Sequence, residues 1–402
     1  MINTQETSET SVIEDKKVLT FQIIKVTAGI LLIFIIPLEY LIYDSLSGME
    51  RWGMESIQDR RKDSAVDFFK ALIYMGNHLF LLLIFPILYH VYDARVAMKI
   101  IIVVCSAMYI YSFLALLYAE PRPFWYSGNI KGEICQKGFG SPALELMLVT
   151  VLFVYTSHQM LRNRSIKEQV VAYFICFSIS VLYFTGSIYL GEHFPHQCII
   201  TLCFVFIFLT SAFALDNYIS ELTIKSNFGY NENRKNSIYF LIATLIMFMV
   251  IIATNNLITH KKGISIYWIK HALEHCPNSY KVNGNSSFNI SSWIFYMQGA
   301  VFGCMFTAKR LSMYWWMTPV WKRIVRGIIA GGFSYGVYSA FDLFDFEYDS
   351  SSYVFNHVIP LLIISFVVHG LLPLLFSKIH LALTISPSAD DETELSNYYG
   401  GI

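Results

Sequence analysis

The chain of 402 residues (46.2 kDa) holds 55% apolar but only 14% charged residues, and its mean hydropathy is +0.49. Soluble globular proteins carry about 25% charged residues, so the composition excludes an ordinary soluble enzyme and a disordered chain. Lysine plus arginine equals aspartate plus glutamate at 29 each, which leaves no net positive field for nucleic acid. The apolar excess indicates a protein that is solvated by lipid.

Apolar stretches of about 18 residues or more recur along the chain and are candidate membrane spans. Because a backbone in lipid must satisfy its own hydrogen bonds, each stretch is expected to be a helix. The first stretch follows a polar segment and lacks a small-residue cleavage site, which predicts an anchor rather than a signal peptide. The pattern predicts an all-α, polytopic membrane helical bundle of about ten transmembrane helices, which begin near Ala28, Ile73, Ile100, Leu144, Val170, Cys198, Ser237, Trp293, Val325 and Val354.

The distribution of basic residues predicts the orientation in the membrane. With the N-terminus in the cytosol, the loops Arg162–Lys167 and Lys309–Arg326 are basic and cytosolic, whereas Asp345–Asp349 on the other face is acidic. Both termini are then cytosolic. Asn285 and Asn289 begin sequons on the non-cytosolic face, which predicts glycosylation of both.

Two of the seven cysteines fall in non-cytosolic loops, and five lie in apolar stretches. An oxidising compartment would allow the loop cysteines Cys135 and Cys276 to form a disulfide, and two unpaired thiols are the alternative.

The predicted organisation has four parts. A cytosolic N-terminal tail (1–26) precedes an extra N-terminal transmembrane helix with a lumenal loop (27–72). A transmembrane domain (73–380) and a disordered cytosolic tail (381–402) follow.

Three polar clusters lie at helix ends on the non-cytosolic face, where membrane enzymes keep their functional groups. They are Glu120–Trp125, Gly138–Glu145 and Gly186–Gln197.

The order and spacing of these clusters resemble the type 2 phosphatidate phosphatase (PAP2)/haloperoxidase superfamily, and within it the glucose-6-phosphatase branch. The matching residues are Arg122–Trp125, Cys135 with Gly140–Pro142, and Ile188–Leu190 with His193–Gln197. The resemblance implies a PAP2-like six-helix core from about Ile73 to Leu215.

The resemblance also implies a chemistry. In the family a histidine attacks phosphorus and forms a phosphohistidine, a second histidine protonates the leaving oxygen, and one lysine and two arginines bind the phosphoryl oxygens. His193 matches the nucleophile and Arg122 matches the first arginine. Glu145 stands in place of the acid histidine.

The other family positions have lost their functional groups. The motif lysine falls at Ala115, and the second arginine and its preceding serine fall at Ser187 and Gly186. The serine and glycine that precede the acid histidine are replaced by Ala143 and Leu144. The site is therefore expected to be degenerate, and Arg122 is expected to be a structural residue paired with Glu145.

The leading hypothesis is a pseudophosphatase that binds a lipid, another phosphoester or a partner protein. One alternative is an active phosphomonoesterase on a lumenal or extracellular lipid or sugar phosphate, with His193 as nucleophile and Glu145 as acid. A second alternative is a transporter or a structural subunit of a membrane complex. No cofactor, metal site or nucleic-acid partner is expected, and the lipid bilayer is the expected environment. Family resemblance favours the endoplasmic reticulum or another endomembrane over the plasma membrane.

Overall fold

The computed structural model describes residues 45–228, 230–261, 264–276, 282, 285–307, 311, 316–343 and 353–383. Within these ranges the chain is entirely helical and contains no β-strand, which confirms the predicted fold class. The predictions for the stretch near Ala28, both tails and the acidic loop Asp345–Asp349 lie outside the described residues.

The helices are labelled in chain order. The numbering begins with residues 45–59 (α1), and the three polar clusters lie at the ends of α4 to α7. The helices are α2 (Asp63–Met75), α3 (His78–Tyr92), α4 (Ala94–Tyr118), α5 (Leu144–Leu161), α6 (Ile166–Tyr189), α7 (Pro195–Ala214), α8 (Asp216–Phe228), α9 (Tyr230–Lys261), α10 (Ile266–His275), α11 (Asn285–Asn289), α12 (Trp293–Thr307), α13 (Val320–Asp342) and α14 (Val354–Lys378).

Six segments of the described chain are long and apolar enough to cross a membrane. They are Ala94–Tyr126, Leu144–Leu161, Ile166–Tyr189, Pro195–Ala214, Ile238–Ile258 and Val354–Lys378. Helices α2 and α3 together form a seventh candidate, which bends by 49° at the break between them. The protein is therefore an integral membrane protein by the length and composition of its helices.

Two predicted spans differ from the structure. Helix α12 has 15 residues, which is shorter than the roughly 20 residues that a straight span requires. Helix α13 is long enough, but its polar and basic content leaves it outside the group of apolar spans. The residues predicted as a lumenal loop before position 73 are largely helical, because they form α1 and most of α2.

Local sequence signals determine where α4 begins and ends and where α7 begins. Asp93 caps α4, because its side chain accepts hydrogen bonds from the backbone N–H groups of Arg95 and Val96. Helix α4 ends at Ala119, whose φ of 46° is left-handed. Helix α7 begins with Pro195, a residue favoured in the first turn because it has no N–H to satisfy.

Close packing of glycines joins α12 to α14. A Cβ atom added to Gly303 would lie 2.8 Å from the backbone nitrogen of Gly370. This approach is typical of membrane helices, where small residues allow backbones to meet. The main core cluster lies around α3, α4, α5, α12 and α14.

Candidate functional site

Arg122 is a fully enclosed residue whose guanidinium is bonded to the protein itself. It lies between Pro121 and Pro123 and its side chain is 2% exposed. Its Nε atom donates to the carbonyl oxygen of Gly138 at 2.9 Å, and Nη2 lies 3.4 Å from the carbonyl oxygen of Lys137.

The Nη1 atom of Arg122 has three further acceptors. They are Gln136 Oε1 at 2.8 Å, the carbonyl oxygen of Glu192 at 3.1 Å and Nε2 of His193 at 3.1 Å. An arginine has five N–H donors. Only one of these, on Nη2, is not directed at an acceptor among the described residues.

His193 is held as a neutral imidazole with a defined tautomer. Its Nε2 faces an arginine nitrogen, which can only donate, so Nε2 carries the lone pair. Its Nδ1 lies 2.7 Å from the carbonyl oxygen of Gly140 and therefore carries the proton. Burial and the Arg122 guanidinium lower the pKa of His193 below its ordinary value, although Glu145 acts in the opposite direction.

Glu145 lies in the first turn of α5, where the helix dipole favours a carboxylate. Its Oε2 atom lies 3.8 Å from Nε2 of His193 and has no hydrogen-bond partner among the described residues. The structure brings Glu145 to His193, and Glu192 is the acid that contacts Arg122. The expected Arg122–Glu145 pair is therefore wrong, because the turn before α7 places Glu192 beside the guanidinium.

Glu192 fills a nest of backbone N–H groups. Its Oε1 accepts from Ile134 at 2.7 Å and Cys135 at 3.0 Å, and its Oε2 accepts from Gln136 at 3.2 Å. Successive N–H groups that point to one spot form an anion-binding concavity. The protein's own carboxylate, 1% exposed, occupies this concavity and lies 3.9 Å from Arg122.

The positions that were predicted to have lost their functional groups are buried parts of the scaffold. Ala115 is fully buried in α4, and the backbone N–H of Ala143 donates to Thr201 Oγ1. The Ser187 hydroxyl donates to the Tyr183 carbonyl of its own helix, while the Ser187 carbonyl accepts from the backbone of residues 192 and 193. Gly186 packs against Phe69.

A second carboxylate–histidine contact lies beside the first. The backbone N–H of His196 donates to Glu50 Oε1 at 3.0 Å, and His196 Nδ1 contacts Glu50 Oε2. Glu120 Oε2 lies 3.8 Å from His196 Nε2 and accepts a hydrogen bond from Gln197. Sequence reasoning missed Glu50, because α1 lies outside the three motif clusters. It also missed Gln136, which has no motif signal of its own.

A cavity of about 760 Å³ opens beside Arg122 and Glu145. Arg122, Leu144 and Glu145 form part of its wall, and residues beyond the three clusters form the rest. Asn285 and Asn289, the sequon asparagines, line the same cavity. The pocket is therefore assembled from both the early and the late parts of the chain.

Cys135 and Cys276 form a disulfide in the structure, with their Cα atoms 5.9 Å apart. It ties the C-terminal end of α10 to the loop that carries the N–H nest. Among the described residues, no group of three or more histidine, cysteine, aspartate or glutamate side chains is arranged to hold a metal ion.

Comparison with known proteins finds a similarity to one protein family over part of the chain. No curated protein matches it. A solved structure similar to it is a transmembrane PAP2-type phosphatidylglycerolphosphate phosphatase from Bacillus subtilis, with a TM-score of 0.42, 14% identity, and coverage of 48% of this chain and 96% of that chain. The glucose-6-phosphatase branch stays a prediction. Residues 96–221, which include Arg122, Glu145 and His193, match the family model of the PAP2 superfamily.

Proposed function

We propose that this integral membrane protein is a PAP2-like pseudophosphatase, whose pocket binds a ligand without hydrolysing it. The observation that carries the proposal is that the guanidinium of Arg122 is already hydrogen-bonded to groups of the protein itself. Four of its five N–H donors are directed at protein acceptors, and its positive charge faces Glu192. A phosphoryl group would therefore have to displace these internal contacts before it could bind.

Charge supports the same conclusion. The family site presents three cations to a phosphate, whereas this site keeps Arg122 and adds the carboxylates of Glu145 and Glu192. Loss of one oxyanion donor costs roughly 10²–10³ in rate, and loss of a general acid costs roughly 10²–10⁴. These losses are not additive, but together they remove most of a family-level rate enhancement.

The test is a phosphate-release assay on the purified full chain in lipid nanodiscs, with phosphatidate and a hexose phosphate as substrates. We expect the wild-type protein and His193→Ala to release phosphate at the same background rate. A working PAP2-type phosphatase in the same nanodiscs serves as the positive control. Turnover by the wild type that disappears in His193→Ala would overturn the proposal.

One observation favours a second candidate, an active phosphomonoesterase. His193 has its lone pair on Nε2, as a nucleophile requires, and the free Oε2 of Glu145 lies 3.8 Å away. In that case Glu145 would protonate the leaving group, and Glu145→Gln would abolish turnover as His193→Ala does. The assay above separates the two functions.

A further inference from the structure

The cavity wall contains a buried carboxylate oxygen with no hydrogen-bond partner. Glu145 is 8% exposed, and its Oε2 accepts no hydrogen bond from the described residues. Burying an ionised carboxylate is costly unless it is paired or hydrogen-bonded. An ionised carboxylate can only accept hydrogen bonds, so the group missing from this site is a donor or a cation.

Arg122 lies near enough to favour the charged form of Glu145, but it donates no hydrogen bond to Oε2. The guanidinium of Arg122 is turned to Gly138, Gln136 and Glu192. His193 is neutral, and its Nε2 accepts from Arg122 rather than donating to Glu145. Lys137 also lines the cavity, but it is exposed.

Part of the remaining wall suits an amphiphile with a cationic head, and asparagine and histidine side chains form the rest. Buried aromatic residues Tyr111, Phe288, Trp293 and Tyr353 line the cavity, and aromatic faces attract ammonium groups. Ile73, Leu79, Ile290 and Leu361 add apolar surface that an alkyl chain could cover.

We propose that the cavity binds an alkylammonium amphiphile, with its ammonium group donating to Glu145 Oε2 and its chain on the apolar wall. This inference rests on the proposed function, because a working phosphatase would need Glu145 as a proton donor instead. The pocket thus selects a charge opposite to that of a phosphate.

The experiment measures binding of n-octylammonium, n-octanol and n-octyl phosphate to the full chain in nanodiscs by calorimetry, with protein-free nanodiscs as the blank. We expect octylammonium to bind about tenfold or more tighter than octanol, the increment expected for one hydrogen bond to a charged group. Octyl phosphate should bind no better than octanol. Equal affinity for octylammonium and octanol, or tighter binding of octyl phosphate, would overturn the inference.

Two variants locate the effect. Glu145→Gln should reduce octylammonium binding to the octanol level. Asp342→Asn removes an exposed carboxylate from the same cavity wall and should keep the preference. An unchanged preference in Glu145→Gln would contradict the inference, whereas the wild-type comparison stands even if this variant does not fold.

The outcomes also separate the two proposals. Phosphate release that depends on His193 would defeat the pseudophosphatase. Background phosphate release without any preference for octylammonium would defeat only the ligand assignment.

Discussion

Glu192 and Arg122 form a buried pair in which the carboxylate Oε2 lies 3.9 Å from the guanidinium Nη1. The same carboxylate accepts three backbone hydrogen bonds from residues 134–136. One side chain therefore balances the pocket arginine and holds the loop beside it. In this protein the Glu192 carboxylate occupies the concavity of backbone N–H groups in which an anion could bind.

Replacement of Glu192 by alanine should strongly destabilise the fold. The change leaves Arg122 without its acidic partner and three N–H groups without an acceptor. Removing one partner of a buried ion pair costs about 3–5 kcal/mol. Thermal unfolding in nanodiscs measures the effect. Glu192→Gln keeps an oxygen acceptor and is the matched control, with a smaller expected loss. Equal stability of Glu192→Ala and the wild type would show that the pair contributes nothing.

A second prediction concerns pH and the loop carboxylate of Glu133. Lys70 Nζ lies 2.7 Å and Lys131 Nζ lies 3.2 Å from this carboxylate, and Arg61 also contacts it. Burial raises the pKa of Glu133, but these three cations lower it by more, to below its ordinary value of 4.5. The stabilisation is therefore present above about pH 4.5 and is lost as the pH falls through the lowered pKa.

Glu133→Gln should consequently lower the unfolding temperature at neutral pH, and its difference from the wild type should shrink below about pH 4.5. Asp67→Asn, which removes an exposed carboxylate from α2, is the control and should show little effect at either pH. A difference between Glu133→Gln and the wild type that does not change with pH would rule out the ion pairs as its cause.

The glycine contact between α12 and α14 gives a third prediction. In Gly303→Ala the new methyl group would meet the backbone of Gly370 at 2.8 Å and that of His369 at 3.0 Å. Because backbone atoms cannot yield easily, we expect a loss of about 1–3 kcal/mol in unfolding free energy. Gly336→Ala in α13 has nothing within 4 Å and should be neutral or gain about 0.5–1 kcal/mol. Similar unfolding temperatures for the two variants would contradict the packing argument.

The sequon residues give a fourth prediction, which opposes the expectation from sequence. Ser287 and Ser291 are 1% and 0% exposed; Ser287 accepts from the backbone of Phe139, and Ser291 bonds Tyr353. Asn289 lies 2.9 Å from a ring nitrogen of His357. A glycan on Asn289 would have to break its contact with His357, because the glycan is attached to the same Nδ2 atom. We expect no change in electrophoretic mobility on treatment with an N-glycosidase. A mobility shift that is absent in Asn285→Gln or Asn289→Gln would contradict the expectation.

The membrane segments and two of the site residues could be predicted because each is marked by a short stretch of neighbouring residues in the sequence. Runs of apolar residues fix which segments enter lipid, whatever the rest of the chain does. Arg122 and His193 were predicted from short stretches of neighbouring residues, and the structure places Nη1 and Nε2 of the two 3.1 Å apart. The segment that matches the PAP2 superfamily contains both.

The partners of these residues could not be predicted in the same way. Glu192 replaces Glu145 as the acid beside Arg122, and Gln136 and Glu50 enter the site from a loop and from α1. These contacts join residues far apart in the chain, so they depend on how helices pack and loops turn. The sequence by itself predicted a helical membrane protein and singled out Arg122 and His193, which lie in contact in the structure. Only the tertiary structure decided that Glu192 neutralises the arginine and that an oxygen of Glu145 is left free, because hydrogen-bond partners are set by position in space.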